Sequence, residues 1–403
     1  MAAVEPGQDP RRARRAEQRR RAVRRRRMAA GVVIAVLAVA AAVAIVRVTG
    51  SSSEATAQAP GQAPPPGTGT GTTPAPAPTP APTARNAKPV RVTAVGDIVM
   101  GSLPYGLPPD GGRSFFSGVD QYLVGDVVLG NLEGTLATGG ASKCGGGSPN
   151  CFAFRTPPSY ARWLKGAGFT VMNLANNHAY DYGASAERET VAALNRVGLL
   201  NTGRPGTQAT QTVGGQRVAV LGFAPYKWAD SLTDIARAKR RVREAAANAE
   251  IVVVTFHGGA EGSDRTHVPS GTETFLGENR GDLRRFTHAV VDAGADFVVG
   301  SGPHVLRGME VYRGRLIAYS MGNFGGYKVF GLGGVLSTSG VLQVTLSPDG
   351  RFRSGRFRPT QLVGSGTPAT GGYGISQVQS LSRQDFGARA ARIDAGGGIS
   401  APR

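Results

Sequence analysis

The sequence is poor in several residue types that chemistry often needs. It has two cysteines, Cys144 and Cys151, in the stretch CGGGSPNC. Without Cys-x-x-Cys spacing, that pair argues against a thiolate metal site or a redox dithiol. In an exported domain, two cysteines flanking a Gly/Pro/Asn turn read as one small-loop disulfide. There are five histidines, so each one that falls beside other polar donors needs explaining. No internal repeat is visible, which excludes a solenoid or a propeller. Acidic residues are scarce, 27 against 46 Lys and Arg, and the formal net charge is +19. Long apolar runs are scarcer still: one stretch, residues 28–46, has the length of a membrane span.

That stretch, MAAGVVIAVLAVAAAVAIV, holds 19 apolar or small residues without a charge. As a helix it extends roughly 28 Å, against a hydrocarbon core of ~30 Å. Arginines crowd its N-terminal side, so the positive-inside rule leaves residues 1–27 in the cytoplasm as a basic tail. Residues 28–48 are then a signal anchor in the plasma membrane, and the rest lies outside. A cleaved signal peptide is the alternative, but the small-residue site Ala55-Thr56-Ala57 is far from Val46. A twin-arginine export signal fits the residues after Arg27 poorly. Dividing the charge matters. Residues 1–50 hold twelve arginines against Glu5, Asp9 and Glu17, a net +9. Beside a spanning segment these arginines set topology and meet anionic lipid; nucleic-acid binding is not expected.

Residues 49–87 are mostly Ser, Ala, Gln, Pro, Gly and Thr, with the run PAPAPTPAP. They form a disordered, semi-extended spacer with too little apolar surface to fold. A globular domain is expected over 88–390, with 391–403 as a flexible tail. Within it, β-rich runs alternate with amphipathic stretches. Strands are predicted at 90–96, 126–131, 169–175, 217–224, 251–257 and 295–302, and helices at 158–168, 184–198, 231–249 and 282–294. Two hairpins follow, at 309–323 through Arg313-Gly314 and at 340–359 through Pro348-Asp349-Gly350. This is an α/β pattern with buried central strands and late antiparallel additions.

The polar residues gather at strand ends. The strands finish in Gly96-Asp97, Asn131-Leu132-Glu133, Asn176-Asn177-His178, His257-Gly258-Gly259 and Gly302-Pro303-His304. Ligands in layered α/β folds bind beyond the carboxyl ends of strands. Asp, Glu, Asn and His at one rim are donors suited to Mn, Mg, Fe or Zn. Any one of them alone reads as a turn cap or a hydrogen-bonded core residue; their joint position points to a site. His267, in a loop, and His288, on a helix, read as structural.

These stretches resemble the capsule-synthesis CapA family, associated with poly-γ-glutamate synthesis, within the calcineurin-like metallophosphoesterase superfamily. The matching segments are AVGDIVMG (94–101), GNLEGTL (130–136), FRTPPSYARWLKGAGFTVMNLANNHAYDYG (154–183), FHGGAEG (256–262) and GADFVVGSGPHVLRGMEVYRGRLIAYSMGNF (294–324). The resemblance implies a four-layer α/β/β/α sandwich around one or two divalent metal ions. It implies Asp97, Glu133, Asn177, His257 and His304 as ligands, with Glu133 bridging if two ions bind. It makes His178 the catalytic imidazole, oriented by Asp181, and offers Asn176, Glu261 and Asn323 as substrate or lid contacts.

The sequence departs from the superfamily pattern twice. Val99 stands where the first motif has histidine, and Gly302 stands where the last often reads His-Pro-His. One imidazole ligand is therefore missing, which leaves the choice between one ion and two open. Residues 262–282 form a long Gly-rich, acidic segment that reads as a lid over the rim, with Glu273 and Glu278 either reaching inward or simply solvated. The implied function is a metal-dependent phosphoesterase acting on an anionic envelope polymer or a phosphorylated envelope substrate. The alternatives are a non-catalytic component working with other polymer-synthesis membrane proteins, and a peptidase or amidase on glutamyl bonds.

Overall fold

The computed structural model describes residues 87–103, 105–145 and 151–402. The expected basic tail, membrane anchor and all of the spacer but Ala87 lie outside the described residues. Among those described, no helix is long and apolar enough to cross a membrane.

Two sheets form the centre. The larger runs, in spatial order, through Arg392–Ile393, Gly398–Ser400, Phe352–Val363, Thr338–Leu346, Val90–Val99, Val127–Leu132, Val171–Asn173 and Leu200–Thr202. Its last four strands are parallel, and Thr338–Leu346 joins them antiparallel. The smaller sheet runs through Met309–Tyr312, Arg315–Ala318, Phe297–Ser301, Ile251–His257, Gln216–Ala224 and Ala209–Val213. Its four inner strands are parallel, as expected of apolar runs buried on both faces.

Alternation along each strand sends one set of side chains between the sheets and the other set outward. Val90, Val92, Val127 and Val171 meet Val218, Val220, Ile251, Val253 and Phe297 in a shared core. On the outer face of the first sheet, Ile98, Val128 and Phe169 pack with Leu164 and Leu194 from helices Ala161–Gly166 and Gly183–Arg196. On the outer face of the second, Phe223 and Phe256 pack with Val242, Phe286 and Val290 from helices Ile235–Ala246 and Leu283–Asp292. The order is helix, sheet, sheet, helix. Both helices on the second sheet begin where an aspartate caps them: Asp234 accepts from Arg237 N and Asp282 from Arg285 N, each at 3.0 Å.

The tail expected over 391–403 is instead part of this fold through residue 402. Ala391, Ile393 and Ile399 are buried in the inter-sheet core, and Gly398–Ser400 pairs with the long Phe352–Val363 strand. Its glycine-rich composition hides the apolar residues that anchor it. Helix Gly374–Phe386, absent from the sequence reading, buries Val378 in the same core.

Glu310 ties this end of the domain together. It is fully buried and accepts from Tyr319 Oη at 2.6 Å, His288 Nε2 at 2.7 Å and Arg389 Nε at 3.0 Å. Burial pushes its carboxyl up, but the hydrogen bonds from His288 and Tyr319 outweigh it and hold the pKa below the ordinary 4.5. The folded state therefore binds this proton less readily than the unfolded chain. The resulting stability is present above pH 4.5 and is lost as pH falls through the folded value. Glu310→Gln is expected to cost roughly 1–3 kcal/mol at neutral pH, less than a fully buried ion pair because Arg389 is half exposed. Thermal unfolding followed by circular dichroism should show a shallower acid decline in the variant than in the wild type.

Candidate metal centre

The site forms where both sheets end. In the first sheet, Asn323, Asp97, Asn131, Asn173 and Thr202 lie on one rung across five neighbouring strands. The ladder shifts register around Asp97 on both sides, an irregularity that re-aims a side chain. Gly96 makes that possible: a Cβ there would collide with the carbonyl oxygen of Gly322. From the second sheet, His257 ends its strand opposite Ser301.

Asp97, Glu133 and His257 are fully buried and offer ligand atoms that all lie within 4.8 Å of one another. His257 Nδ1 is 3.6 Å from Asp97 Oδ1, and its Nε2 is 3.8 Å from Glu133 Oε1. His304 joins them, with Nδ1 3.2 Å from Asp97 Oδ2 and Nε2 3.7 Å from Glu133 Oε1. It follows Gly302 (φ 113°) and itself holds a left-handed φ of 61°, an uncommon backbone for a residue with a side chain. Asn323 Oδ1 contacts its Nδ1 at 2.9 Å and so orients the ring. Gly302 cannot carry the imidazole expected there, since a Cβ would lie 2.8 Å from Gly258 N at that φ.

The donor set fits a divalent cation. Both carboxylate oxygens of Glu133 and the Oδ1 of Asn177 are buried without a hydrogen-bond partner. Orphaned buried acceptors are costly unless a cation meets them. Burial, then the charge of Asp97, pushes Glu133 well above the carboxylate range. Burial also works to raise Asp97, but His257 and His304 pull it far below that range. Burial takes His257 down to about 4. It would lower His304 too, yet the charges of Glu133 and Asp97 lift that ring to about 10. Glu133 and His304 thus hold a proton more readily than usual, while Asp97 and His257 hold one less readily.

His178 borders the cluster, its Nε2 3.9 Å from Glu133 Oε1 and its Nδ1 2.8 Å from Asp181 Oδ2. Burial lowers its pKa against the opposing pull of Asp181. Asp181 also accepts from Phe154 N at 2.6 Å and faces Lys143 Nζ at 2.7 Å. Lys143 immediately precedes Cys144, which is disulfide-bonded to Cys151 as the spacing suggests. Its ammonium also donates to the Asn177 carbonyl at 3.0 Å.

Two expected substrate or lid contacts have other work. The Asn176 amide is buried and donates to Asn131 Oδ1 at 3.1 Å and the Leu132 carbonyl at 2.8 Å, while its Oδ1 accepts from His178 N. The Asn323 side chain is likewise buried behind His304. Glu261 does face the centre, 3.7 Å from His304 Nε2. In the expected lid, Glu273 does not reach the centre but is buried against Arg307 at 2.7 and 2.8 Å. His267 pairs with Asp385 and His288 with Glu310, so both are structural.

Sequence reasoning missed three residues. Asn131 donates to Asp97 Oδ1 at 2.7 Å and lies 3.2 Å from His257 Nδ1; its place two before Glu133 at a strand end was a usable signal. Lys143, in a loop, and the buried Arg280, on the short strand Glu278–Gly281, had no such signal.

Manganese at about a hundred times its dissociation constant should stabilise the protein by about 2.7 kcal/mol. Glu133→Gln is expected to lose that shift without lowering the melting temperature of the metal-free protein, since it removes an unpartnered buried carboxylate. Differential scanning fluorimetry with manganese and with chelator reads both effects.

The family described as "Bacterial capsule synthesis protein PGA_cap" matches residues 91–327. The chain is 32% identical over 265 residues to "Capsule biosynthesis protein CapA" of Bacillus anthracis, covering 60% of each chain. It is 30% identical over 296 residues to "PGA biosynthesis protein CapA" of Bacillus subtilis, covering 68% of this chain and 72% of that one. It thus spans 60% of the length of the first relative. A solved hypothetical protein from Thermus thermophilus superposes with a TM-score of 0.43 at 17% identity, over 67% of this chain and 99% of that one. The family match, which spans the strand ends that build the centre, places this chain in the bacterial capsule synthesis PGA_cap family.

Proposed function

We propose that this protein is a metal-dependent phosphoesterase that acts outside the cytoplasmic membrane on a phosphorylated component of an anionic envelope polymer. The observation that carries the reading is the pairing of an orphaned, fully buried Glu133 with an imidazole whose Nε2 faces it from 3.9 Å. A bound divalent ion would supply the charge that polarises a phosphoryl oxygen and acidifies water. Asp97, Glu133, His257 and His304 would hold it, together with the Asn177 amide.

The chain's own groups do the rest. Asp181 fixes the proton of His178 on Nδ1, which leaves Nε2 free to take or give a proton at the centre. Lys143 balances the charge of the Asp181 carboxylate that orients the ring. The Phe154 ring, 4.4 Å from the imidazole, shields one face from water. In the proposed setting, residues 28–48 anchor the protein and residues 49–87 hold the domain away from the bilayer. The names of the two Bacillus relatives support a place in capsule or poly-γ-glutamate synthesis.

Hydrolysis of p-nitrophenyl phosphate and of polyprenyl phosphates with added manganese tests the chemistry. His178→Ala is expected to lower the rate by about 10²–10⁴-fold while leaving manganese binding intact. Absence of metal-dependent turnover on every phosphoester would sink the reading. Full rescue of polymer production in a deletion strain by the His178→Ala copy would instead favour a non-catalytic assembly role.

A further inference from the structure

The loop read as a lid sends a residue into the centre rather than over it. Arg280 lies on the short strand Glu278–Gly281 and is 1% exposed. Its backbone carbonyl accepts from Gly259 N at 2.9 Å, and its Nε donates back to the Gly259 carbonyl at 3.0 Å. The turn directly after His257 is therefore locked to it. Nη1 donates to Tyr226 Oη at 2.7 Å and faces Glu261 Oε1 at 3.0 Å. Nη2 lies 3.4 Å from His257 Nε2. Tyr226 stacks on Trp228, and Trp228 on Tyr180, each at 5.2 Å, which backs the guanidinium with a rigid aromatic column.

We infer that Arg280 is a permanent cation of the metal centre and limits it to one divalent ion. This rests on the reading that the cluster of Asp97, Glu133 and His257 binds metal. The argument is one of charge. Three carboxylates face the enclosed space: Asp97 and Glu133, fully buried, and Glu261, mostly buried. Glu278, 3.8 Å from Arg280, is more than half exposed and screened by water. Asp181 is matched by Lys143. In the forms that ligate a metal, with the three carboxylates ionised and the histidines neutral, one guanidinium offsets one carboxylate and leaves two negative charges, which a single divalent ion neutralises. A second ion would leave two uncompensated positive charges in a buried space, a cost of several kcal/mol per charge. The guanidinium also stands 3.4 Å from His257 Nε2, so its positive charge lies against a residue that would hold the ion.

The test is the stoichiometry of manganese on the full chain, by calorimetry and by electron paramagnetic resonance. The wild type is expected to saturate at one ion per chain with the spectrum of an isolated ion. Arg280→Lys keeps the charge and should stay at one. Arg280→Met removes it and should rise to two, with an exchange-coupled spectrum. Two coupled ions in the wild type overturn the inference alone and leave the metal reading standing. A single ion of unchanged affinity in a folded Arg280→Met overturns it as well. No ion bound under any condition overturns both. If Arg280→Met does not fold, Arg280→Gln, which removes the charge but keeps hydrogen-bond donors, takes its place: two ions support the inference and one ion of unchanged affinity overturns it.

Discussion

Two carboxylates at zero exposure, Asp97 and Glu133, are the constraint that organises this end of the molecule. Burying one charge without a partner is expensive, and burying two side by side is more so. Everything nearby answers that demand. Asn131 donates to Asp97, His304 sits against both carboxylates, and Arg280 stands behind His257. The asparagines that share the rung with Asp97 supply neutral dipoles and add no further charge to that end of the first sheet.

The sandwich is what makes such a cluster affordable. Two parallel-strand cores, each buried on both faces, terminate at one level and deliver their polar ends to a common rim. The precision comes from backbone approach at glycines. Gly96 lets the first strand come close enough to Gly322 for Asp97 to turn inward, and Gly302 lets the His304 turn lie against Gly258. The histidine missing at position 302 is thus a consequence of close packing between two turns.

Much of this was legible in the sequence, because apolar strands that stop at a glycine and a donor announce themselves. Asp97, Glu133, His257 and His304 all follow that pattern, and the structure brings all four together. What escaped was whatever depends on distance along the chain. Arg280 meets His257 across 23 positions and Lys143 meets Asn177 across 34, from segments whose composition reads only as loop. Asn176 shows the opposite case: a polar residue beside His178 looks available in the sequence, yet its amide braces the turn. The strands after residue 390 were hidden because glycine dilutes a short apolar alternation below recognition.

The sheet order carries a consequence for how the chain matures. The first strand, Val90–Val99, pairs antiparallel with Thr338–Leu346, and its inner end pairs with Asn323–Gly326. Both neighbours are made more than two hundred residues later, and contacts of such long range form slowly. Asp97 therefore acquires its surroundings only after almost the whole domain has been synthesised. A chain that stops short of residue 323 thus carries Asp97, Glu133 and His257 but lacks both strands that flank Val90–Val99 on that side.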